Sequence, residues 1–203
     1  MGDIDPAFIQ SREHRPKSKA VEAGEISVID LSSQNKQQLI SEIGKACEEW
    51  GFFQVIKHGV PFEVSRKAEI VADKFFEQSI DEKKKVKRDE DTTQVPSSHE
   101  PHDKELRTLT NQWPQHPSDF REALQECARE VEKLAFKLFE LILLSLGLAG
   151  HKFHGCFRDQ LSMVRLNHNP PCPFPDLALG VGRHKDEGAL TVPAQDDVGG
   201  LQV

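Results

Sequence analysis

Two residues whose types suit metal chemistry, His184 and Asp186, lie two positions apart. Strand-type residues precede His184, and the pair Glu187–Gly188 is typical of a turn. In an extended segment alternate side chains share a face, so His184 and Asp186 would point one way and Lys185 the other. An imidazole and a carboxylate on one face can bind one first-row metal ion such as Fe(II), with a third ligand from elsewhere completing a facial triad. The alternative is a solvated ion pair beside a turn.

The length and composition of the chain favour one soluble globular domain. The 203 residues are 37% hydrophobic and 29% charged, and the net charge of -7 argues against nucleic acid or an acidic membrane as the main partner. The longest apolar run, from Leu141 to Gly150, is too short to span a bilayer, and the first residues lack the apolar core of a signal peptide. The four cysteines form no Cys-x-x-Cys pair and favour a reducing compartment, so we expect a cytoplasmic protein.

The predicted organisation has five segments. In chain order they are a loose arm at 1–24, an N-terminal region at 25–88, a polar loop at 89–117, a scaffold helix with a short following segment at 118–157, and strands at 158–203. The loop is rich in proline and polar residues and poor in large apolar side chains, which is typical of disorder. Helices first and strands later indicate an α+β fold that ends in a β barrel or jelly roll.

Hydrophobic periodicity predicts helices and strands up to residue 157. The predicted elements are a strand at 26–31, a helix ending at Gly51, a strand at 52–56, a helix at 64–76, a shorter one from Asp81, and a long helix from Ser118 to Gly147. Ser32 and Ser33 are predicted to cap the first helix. Trp50, Phe52 and Phe53 are predicted to pack in the core rather than to stack on a ligand.

Beyond Phe157 the hydrophobic period switches to two. Strands are predicted at 161–168, at 189–192 and from Leu201 onward. The proline-rich run 169–175 between them fits neither a helix nor a central strand, because each proline lacks a backbone donor.

Several motifs resemble those of one protein family over nearly the whole chain. They are Ile26-Ser27-Val28-Ile29-Asp30-Leu31, Ala46-Cys47-Glu48-Glu49-Trp50-Gly51-Phe52-Phe53-Gln54-Val55, His58-Gly59-Val60-Pro61, Arg165-Leu166-Asn167-His168-Asn169-Pro170-Pro171-Cys172-Pro173, and Leu177 through Val203. The family that they resemble is the plant Fe(II)/2-oxoglutarate-dependent dioxygenases. The resemblance implies an α+β fold in which a helical N-terminal region packs on a double-stranded β-helix, or jelly roll, that is incomplete here.

The resemblance also implies a site and an activity. His184 and Asp186 match the family's first two iron ligands. Asn167 matches a position that helps to hold 2-oxoglutarate, and Asn169 stands where the family typically has a Tyr that contacts it. Such enzymes use Fe(II), 2-oxoglutarate and O2, with ascorbate as a reductant, to oxidise a small organic molecule, here in plant specialised metabolism.

Three departures from the family pattern bear on activity. The family's third iron ligand, a distal His, and its Arg-x-Ser clamp for 2-oxoglutarate lie downstream of the position of Val203. The polar stretch after Asp89 replaces an aromatic-rich segment, and the chain contains no Tyr. Asn169 replaces the usual Tyr. We therefore expect a chain that is shortened and catalytically incomplete.

Two functions of other classes remain open. A non-catalytic interaction protein would use its long helix and an exposed sheet edge to bind a partner such as a full-length paralogue by strand addition. A zinc-binding module would combine His184 and Asp186 with one of His151, His154 or His168. The substrate expected for a dioxygenase of this family is a small organic molecule.

Overall fold

The computed structural model describes residues 9–15, 26–87, 111–153, 155, 162–186 and 188–201. These residues contain two short strands and four helices: β1 (Val28–Asp30), α1 (Lys36–Glu49), β2 (Gln54–Ile56), α2 (Phe62–Phe76), α3 (Ile80–Lys84) and α4 (Phe120–Ser145). A 3₁₀ turn, Arg12–His14, precedes them. The chain divides into two compact units, Met1–Gly59 with Val131–Val203, and Val60–Glu130.

A two-stranded parallel sheet organises the first unit. β1 pairs with β2 in the register Val28↔Gln54, Ile29↔Val55 and Asp30↔Ile56, and α1 is the connection that parallel pairing requires. Ile29 points to the buried face, and α1 contacts β1. The opposite face is open, since Val28 and Ile56 are 57% and 45% exposed.

Helix α1 begins at an asparagine cap rather than at the predicted serines. The Asn35 side chain accepts a hydrogen bond from the Gln38 amide at 3.0 Å, which satisfies one free donor of the first turn. Ser32 instead donates its hydroxyl to Asp30, and Ser33 accepts from the Asn35 amide. The helix ends at Glu49, and Gly51, which was predicted to end it, follows the Trp50 cap with a positive φ of 69°.

The C-terminal half of α4 packs against α1. Gly44 of α1 lies so close to Ser145 of α4 that a Cβ on Gly44 would be 2.9 Å from the Ser145 Cβ. An ion pair of 3.1 Å between Lys36 and Glu140 adds a polar contact, and Lys137 donates to the Leu31 carbonyl. The residues buried in the core of this unit are Ile29, Leu31, Leu39, Ile43, Ala46, Leu134, Leu138, Leu141 and Leu143.

The second unit combines α2, α3 and the first turns of α4. Its buried side chains are Ala68, Val71, Phe120, Ala123 and Leu124. An aromatic cluster borders them, with ring centroids 5.2 Å apart for Phe75 and Phe120 and 6.4 Å apart for Trp113 and Phe120. Trp113 belongs to the predicted polar loop, and its ring is packed; the loop residues 89–110 lie outside the described residues, as does the arm 1–24 except for 9–15.

Two further sequence expectations were wrong. Trp50 and Phe52 are 42% and 46% exposed, because the turn at Gly51 places them beyond the end of α1 instead of beneath it. The described residues of the predicted strands at 161–168, 189–192 and 201–203 form no strand. Alternating apolar and polar residues give an extended segment one apolar face, but a β-strand also needs a neighbouring strand to which its backbone is hydrogen-bonded. Within the described part of 162–201 the pairing is limited to one antiparallel bridge, Ile9↔Ala178.

These helices and strands are consistent with the predicted α+β class. In the part of the chain that the structure describes, no helix combines the length and apolar character needed to cross a membrane.

Candidate metal-binding site

The side chains of His184 and Asp186 lie next to each other on a solvent-exposed segment of the first unit. The distance from His184 Nε2 to Asp186 Oδ1 is 3.2 Å, and the side chains are 52% and 49% exposed. The segment is not a strand, so the two side chains meet through local chain geometry and not through sheet alternation. Their role as metal ligands stays a prediction, and the geometry specifies what the pair could hold.

The backbone sets the orientation of the imidazole. His184 Nδ1 lies 2.9 Å from the carbonyl oxygen of Gly182, which can only accept a hydrogen bond. Nδ1 therefore carries the proton, and in the neutral ring Nε2 is an acceptor with a free lone pair. A backbone carbonyl in this position is the usual way in which proteins orient a metal-binding histidine.

Two acceptor atoms thus stand 3.2 Å apart, His184 Nε2 and a carboxylate oxygen of Asp186. Such an arrangement needs a cation, either a proton on Nε2 or a metal ion that both atoms bind. Ligands of these types lie about 2.0–2.2 Å from a first-row metal, so two of them at a right angle are separated by about 3.0 Å. The observed separation is close to that value, and an imidazole with a carboxylate is a donor set that Fe(II) accepts. The pair fits two positions of an iron site.

A third ligand is not assembled in the described part of the chain. No group of three His, Cys, Asp or Glu side chains there is close enough to hold one ion. The hypothesis of a zinc-binding module requires a third ligand from His151, His154 or His168. It is not supported for His151 or His168, and His154 lies outside the described residues.

The two predicted contacts for 2-oxoglutarate have different surroundings. The side chain of Asn169 lies directly against Gly180, where a Cβ would overlap the amide of Asn169, with Cγ only 2.6 Å away. Asn167 is exposed and, among the described residues, makes no hydrogen bond to His184 or Asp186. The structure thus places Asn169 on the segment that leads to His184 and Asp186, and it does not bring Asn167 into contact with them.

One residue next to the pair was missed by sequence reasoning. Gln10 is far away in sequence, yet its side-chain Oε1 lies 3.3 Å from the place that a Cβ on Gly182 would occupy. The available signal was the spacing Gly180-Val181-Gly182, since glycines two apart before a candidate ligand indicate close approach by other groups.

Three groups with shifted pKa values, Asp30, Cys47 and Cys127, lie away from the candidate site. The Lys57 ammonium, 2.6 Å from Asp30, and hydrogen bonds from Ser32 lower the pKa of the Asp30 carboxyl to about 2. Burial raises the pKa of the Cys47 thiol, and burial together with the Glu126 charge raises that of Cys127. Raised thiol pKa values are typical of inert structural cysteines.

A cavity of about 130 Å³ lies in the second unit. It is lined by Gln78, Glu82, Lys85, Val86, Trp113, Pro114, Gln115 and His116. Three of its polar lining side chains have partners: Gln78 donates to the His116 carbonyl at 2.6 Å, and Lys85 pairs with Glu82. None of the four predicted site residues lines this cavity.

Comparison with known proteins decides the family. Residues 26–134 match the family described as "non-haem dioxygenase in morphine synthesis N-terminal", and residues 160–203 match the "2OG-Fe(II) oxygenase superfamily". The chain belongs to the plant 2-oxoglutarate- and Fe(II)-dependent dioxygenases. The resemblance inferred from the motifs is thereby confirmed.

Individual relatives cover nearly all of this dioxygenase chain. Protein DOWNY MILDEW RESISTANCE 6 of Arabidopsis thaliana is 34% identical over 97% of the chain and 63% of its own length. A flavonol synthase/flavanone 3-hydroxylase of Eustoma exaltatum subsp. russellianum is 34% identical over 99% of the chain and 67% of its own length. The chain therefore spans about two thirds of the length of these curated relatives.

A solved structure agrees with the same family. The crystal structure of JOX2 in complex with 2OG, Fe, and JA superimposes with a TM-score of 0.66 at 25% identity, covering 90% of this chain and 57% of that one. A second 2OG-Fe(II) oxygenase, from Caulobacter crescentus, has a TM-score of 0.55 at 17% identity and supports the fold alone.

Proposed function

We propose that this chain carries part of the active site of an Fe(II)- and 2-oxoglutarate-dependent oxidoreductase that acts on a small organic metabolite. Family membership supports the reaction class, and one observation carries the site. That observation is the pair of acceptors on His184 and Asp186, 3.2 Å apart, with the imidazole oriented by the Gly182 carbonyl. We expect the oxidation to belong to plant specialised metabolism, as with the flavonol synthase relative.

Each residue of the proposed site has a chemical role. The Gly182 carbonyl holds the proton of His184 on Nδ1, so that Nε2 is available to Fe(II). Asp186 supplies a negative charge and the second ligand, a carboxylate oxygen. Asn167 and Asn169 carry amides that can donate hydrogen bonds to the oxygens of 2-oxoglutarate. Fe(II) held by His184 and Asp186 would supply the O2 activation that couples oxidative decarboxylation of 2-oxoglutarate to oxidation of the substrate.

The finer expectations on fold and surroundings are part of the same proposal. Residues 158–203 would form the start of the jelly roll, which the family match at 160–203 supports. Ascorbate would serve as the reductant that keeps iron in the Fe(II) state. We place the protein in the cytoplasm, without nucleic acid or membrane as a partner, in keeping with its net charge of -7.

Incomplete catalysis is also proposed for this chain. Because no third ligand is grouped with His184 and Asp186 among the described residues, the pair should bind Fe(II) weakly, and we expect little succinate from the purified chain supplied with Fe(II), ascorbate and 2-oxoglutarate. Robust succinate formation that His184→Ala abolishes would contradict the incompleteness and would support the assignment of the site.

Anaerobic absorption spectroscopy tests the proposal. The purified chain is titrated with Fe(II) and 2-oxoglutarate beside His184→Ala and, as a matched histidine variant in the same unit, His151→Ala. We expect a metal-to-ligand charge-transfer band in the wild type and in His151→Ala that is absent in His184→Ala. A folded wild type without a band would refute the site, and loss of the band in His151→Ala alone would favour a different ligand set.

A second candidate function, association with a full-length paralogue, is favoured by the open face of the β1–β2 sheet. Val28 and Ile56 expose 57% and 45% of their surface there. Exposed apolar side chains often mark interfaces, and we propose a full-length paralogue as the partner for this face. Sedimentation of a mixture with a purified paralogue tests it: co-sedimentation that Ile56→Thr weakens supports association, and independent sedimentation excludes it.

A further inference from the structure

The residues 9–15, called here the N-terminal clasp, contact the segment that carries the candidate iron ligands. Ile9 and Ala178 form an antiparallel bridge, and the Gln10 amide donates to the Leu177 carbonyl at 2.9 Å. These contacts join positions near the two ends of the sequence. They attach the clasp to Leu177, which lies seven residues before His184 in the sequence.

The backbone of Gln10 is held on both sides. Its carbonyl accepts a hydrogen bond of 3.1 Å from the Arg15 guanidinium, and this contact is partly buried. The 3₁₀ turn Arg12–His14 brings Arg15 back to Gln10, with the His14 amide donating to the Ser11 carbonyl at 2.9 Å. The clasp is therefore a closed turn that presents Gln10 in one orientation.

The side chain of Gln10 reaches the residue that orients His184. Its Oε1 lies 3.3 Å from the position of a Cβ on Gly182, so the amide occupies space that a larger residue at 182 would fill. The Gly182 carbonyl is the acceptor for His184 Nδ1, at 2.9 Å. A continuous chain of contacts thus runs from Gln10 through Gly182 to the imidazole.

We infer that the N-terminal clasp positions the iron ligand His184, with Gln10 as the positioning residue that acts through Gly182. This inference rests on the proposed function for the identity of the metal, but the contacts themselves do not need it. Without the clasp, the backbone from Leu177 to Gly182 loses its partner, and the Gly182 carbonyl is free to turn away from the ring. His184 then loses the orientation that leaves Nε2 facing Asp186.

Two substitutions of one residue separate backbone from side-chain effects. Gln10→Pro removes the N–H that donates to Leu177 as well as the amide, whereas Gln10→Ala removes the amide alone. Gln37→Ala, on the exposed surface of α1, is the matched control for losing a glutamine side chain. Circular dichroism of the helices verifies that each variant folds, since the clasp contributes no helix beyond its 3₁₀ turn.

The first readout needs no metal. Nitrogen-15 NMR of the imidazoles, at a pH above the ordinary imidazole range, reports which ring nitrogen of His184 carries the proton. We expect a protonated Nδ1 in the wild type and in Gln37→Ala, with or without a second proton on Nε2 facing Asp186, and partial loss of the Nδ1 proton in Gln10→Pro. An unchanged His184 signal in Gln10→Pro would overturn the inference.

The second readout is the dissociation constant for Mn(II), a redox-stable substitute for Fe(II). Loss of a group that orients a metal-binding histidine typically weakens metal affinity by about 10–100-fold, so Gln10→Pro should lose about tenfold and Gln10→Ala less. Equal affinity in wild type and Gln10→Pro would overturn the inference even if the wild type binds tightly. If the wild type binds no Mn(II), the proposed function fails, and the imidazole signals alone decide whether the clasp positions His184.

Discussion

Substituting Gly44 by alanine would change the stability of helix α1 in two opposite ways, through helix propensity and through steric contact with α4. On propensity alone, alanine in a helix interior is favoured over glycine by about 1 kcal/mol. The structure adds an opposing effect, because the new Cβ would lie 2.9 Å from the Ser145 Cβ and 3.3 Å from its Oγ. Two carbon atoms in contact are ordinarily about 3.5–4.0 Å apart, so α1 and α4 would have to separate by roughly 0.6–1 Å.

The steric effect should be the larger of the two. Overpacking of this kind costs about 1–3 kcal/mol, and subtracting the gain in helix propensity leaves Gly44→Ala less stable by about 1 kcal/mol. Chemical denaturation followed by circular dichroism measures the change. A double-mutant cycle sharpens it: Ser145→Gly should relieve the strain in Gly44→Ala, and Ser145→Ala, which keeps the Cβ, should not. A Gly44→Ala variant that is more stable than the wild type by about 1 kcal/mol would show that the helices are not in this contact.

Three further outcomes are expected. Lys57 lowers the pKa of the Asp30 carboxyl to about 2, whereas the pKa of an aspartate in the unfolded chain is about 4. The ion pair therefore stabilises the fold above pH ~4, and this stability is lost as the pH falls toward 2. Lys57→Met should raise the Asp30 pKa in an NMR titration, and an unchanged value would exclude the ion pair. Asn35→Ala removes the cap of α1 and should cost about 1 kcal/mol in urea unfolding, with no loss if the cap is elsewhere. Cys172, which is exposed, should react with a thiol reagent faster than Cys47, whose pKa burial raises, as followed by mass spectrometry; equal rates would contradict these surroundings.

Helices were predicted well because their signals are local. The apolar stripe through Leu39 and Ile43 and the glycine at 51 lie within one element, and they placed α1 to within a few residues. Its cap was misassigned because Ser32, Ser33 and Asn35 can each accept from a first turn, and only the chain path selects Asn35. The long helix was predicted from Ser118 to Gly147 and occurs at Phe120–Ser145 for the same reason.

Sheet structure was predicted less well because it depends on distant partners. The patterns at 26–31 and 52–56 found both strands, but nothing in either segment specifies that they pair with each other in parallel. The alternating segments after residue 161 found no ladder partner in the described chain. Exposure of Trp50 was mispredicted because aromatic residues next to a strand usually pack inside.

The candidate site was also predicted only where its features are local in sequence. The meeting of His184 and Asp186 follows from a two-residue spacing, which sequence alone can provide. The contact between Gln10 and Gly182 joins residues 172 positions apart, and only the folded chain can reveal it. Local spacing therefore identifies the ligands, and tertiary structure identifies what orients them.

The central claim is that His184 Nε2 binds the metal, and pulsed electron paramagnetic resonance of the Mn(II)-loaded chain tests it most directly. The method detects the magnetic coupling between the ion and a coordinated imidazole nitrogen. We predict that coupling in the wild type and in His151→Ala and its loss in His184→Ala. A coupling that persists unchanged in His184→Ala, or a bound ion with no nitrogen coupling in the wild type, would contradict the assignment.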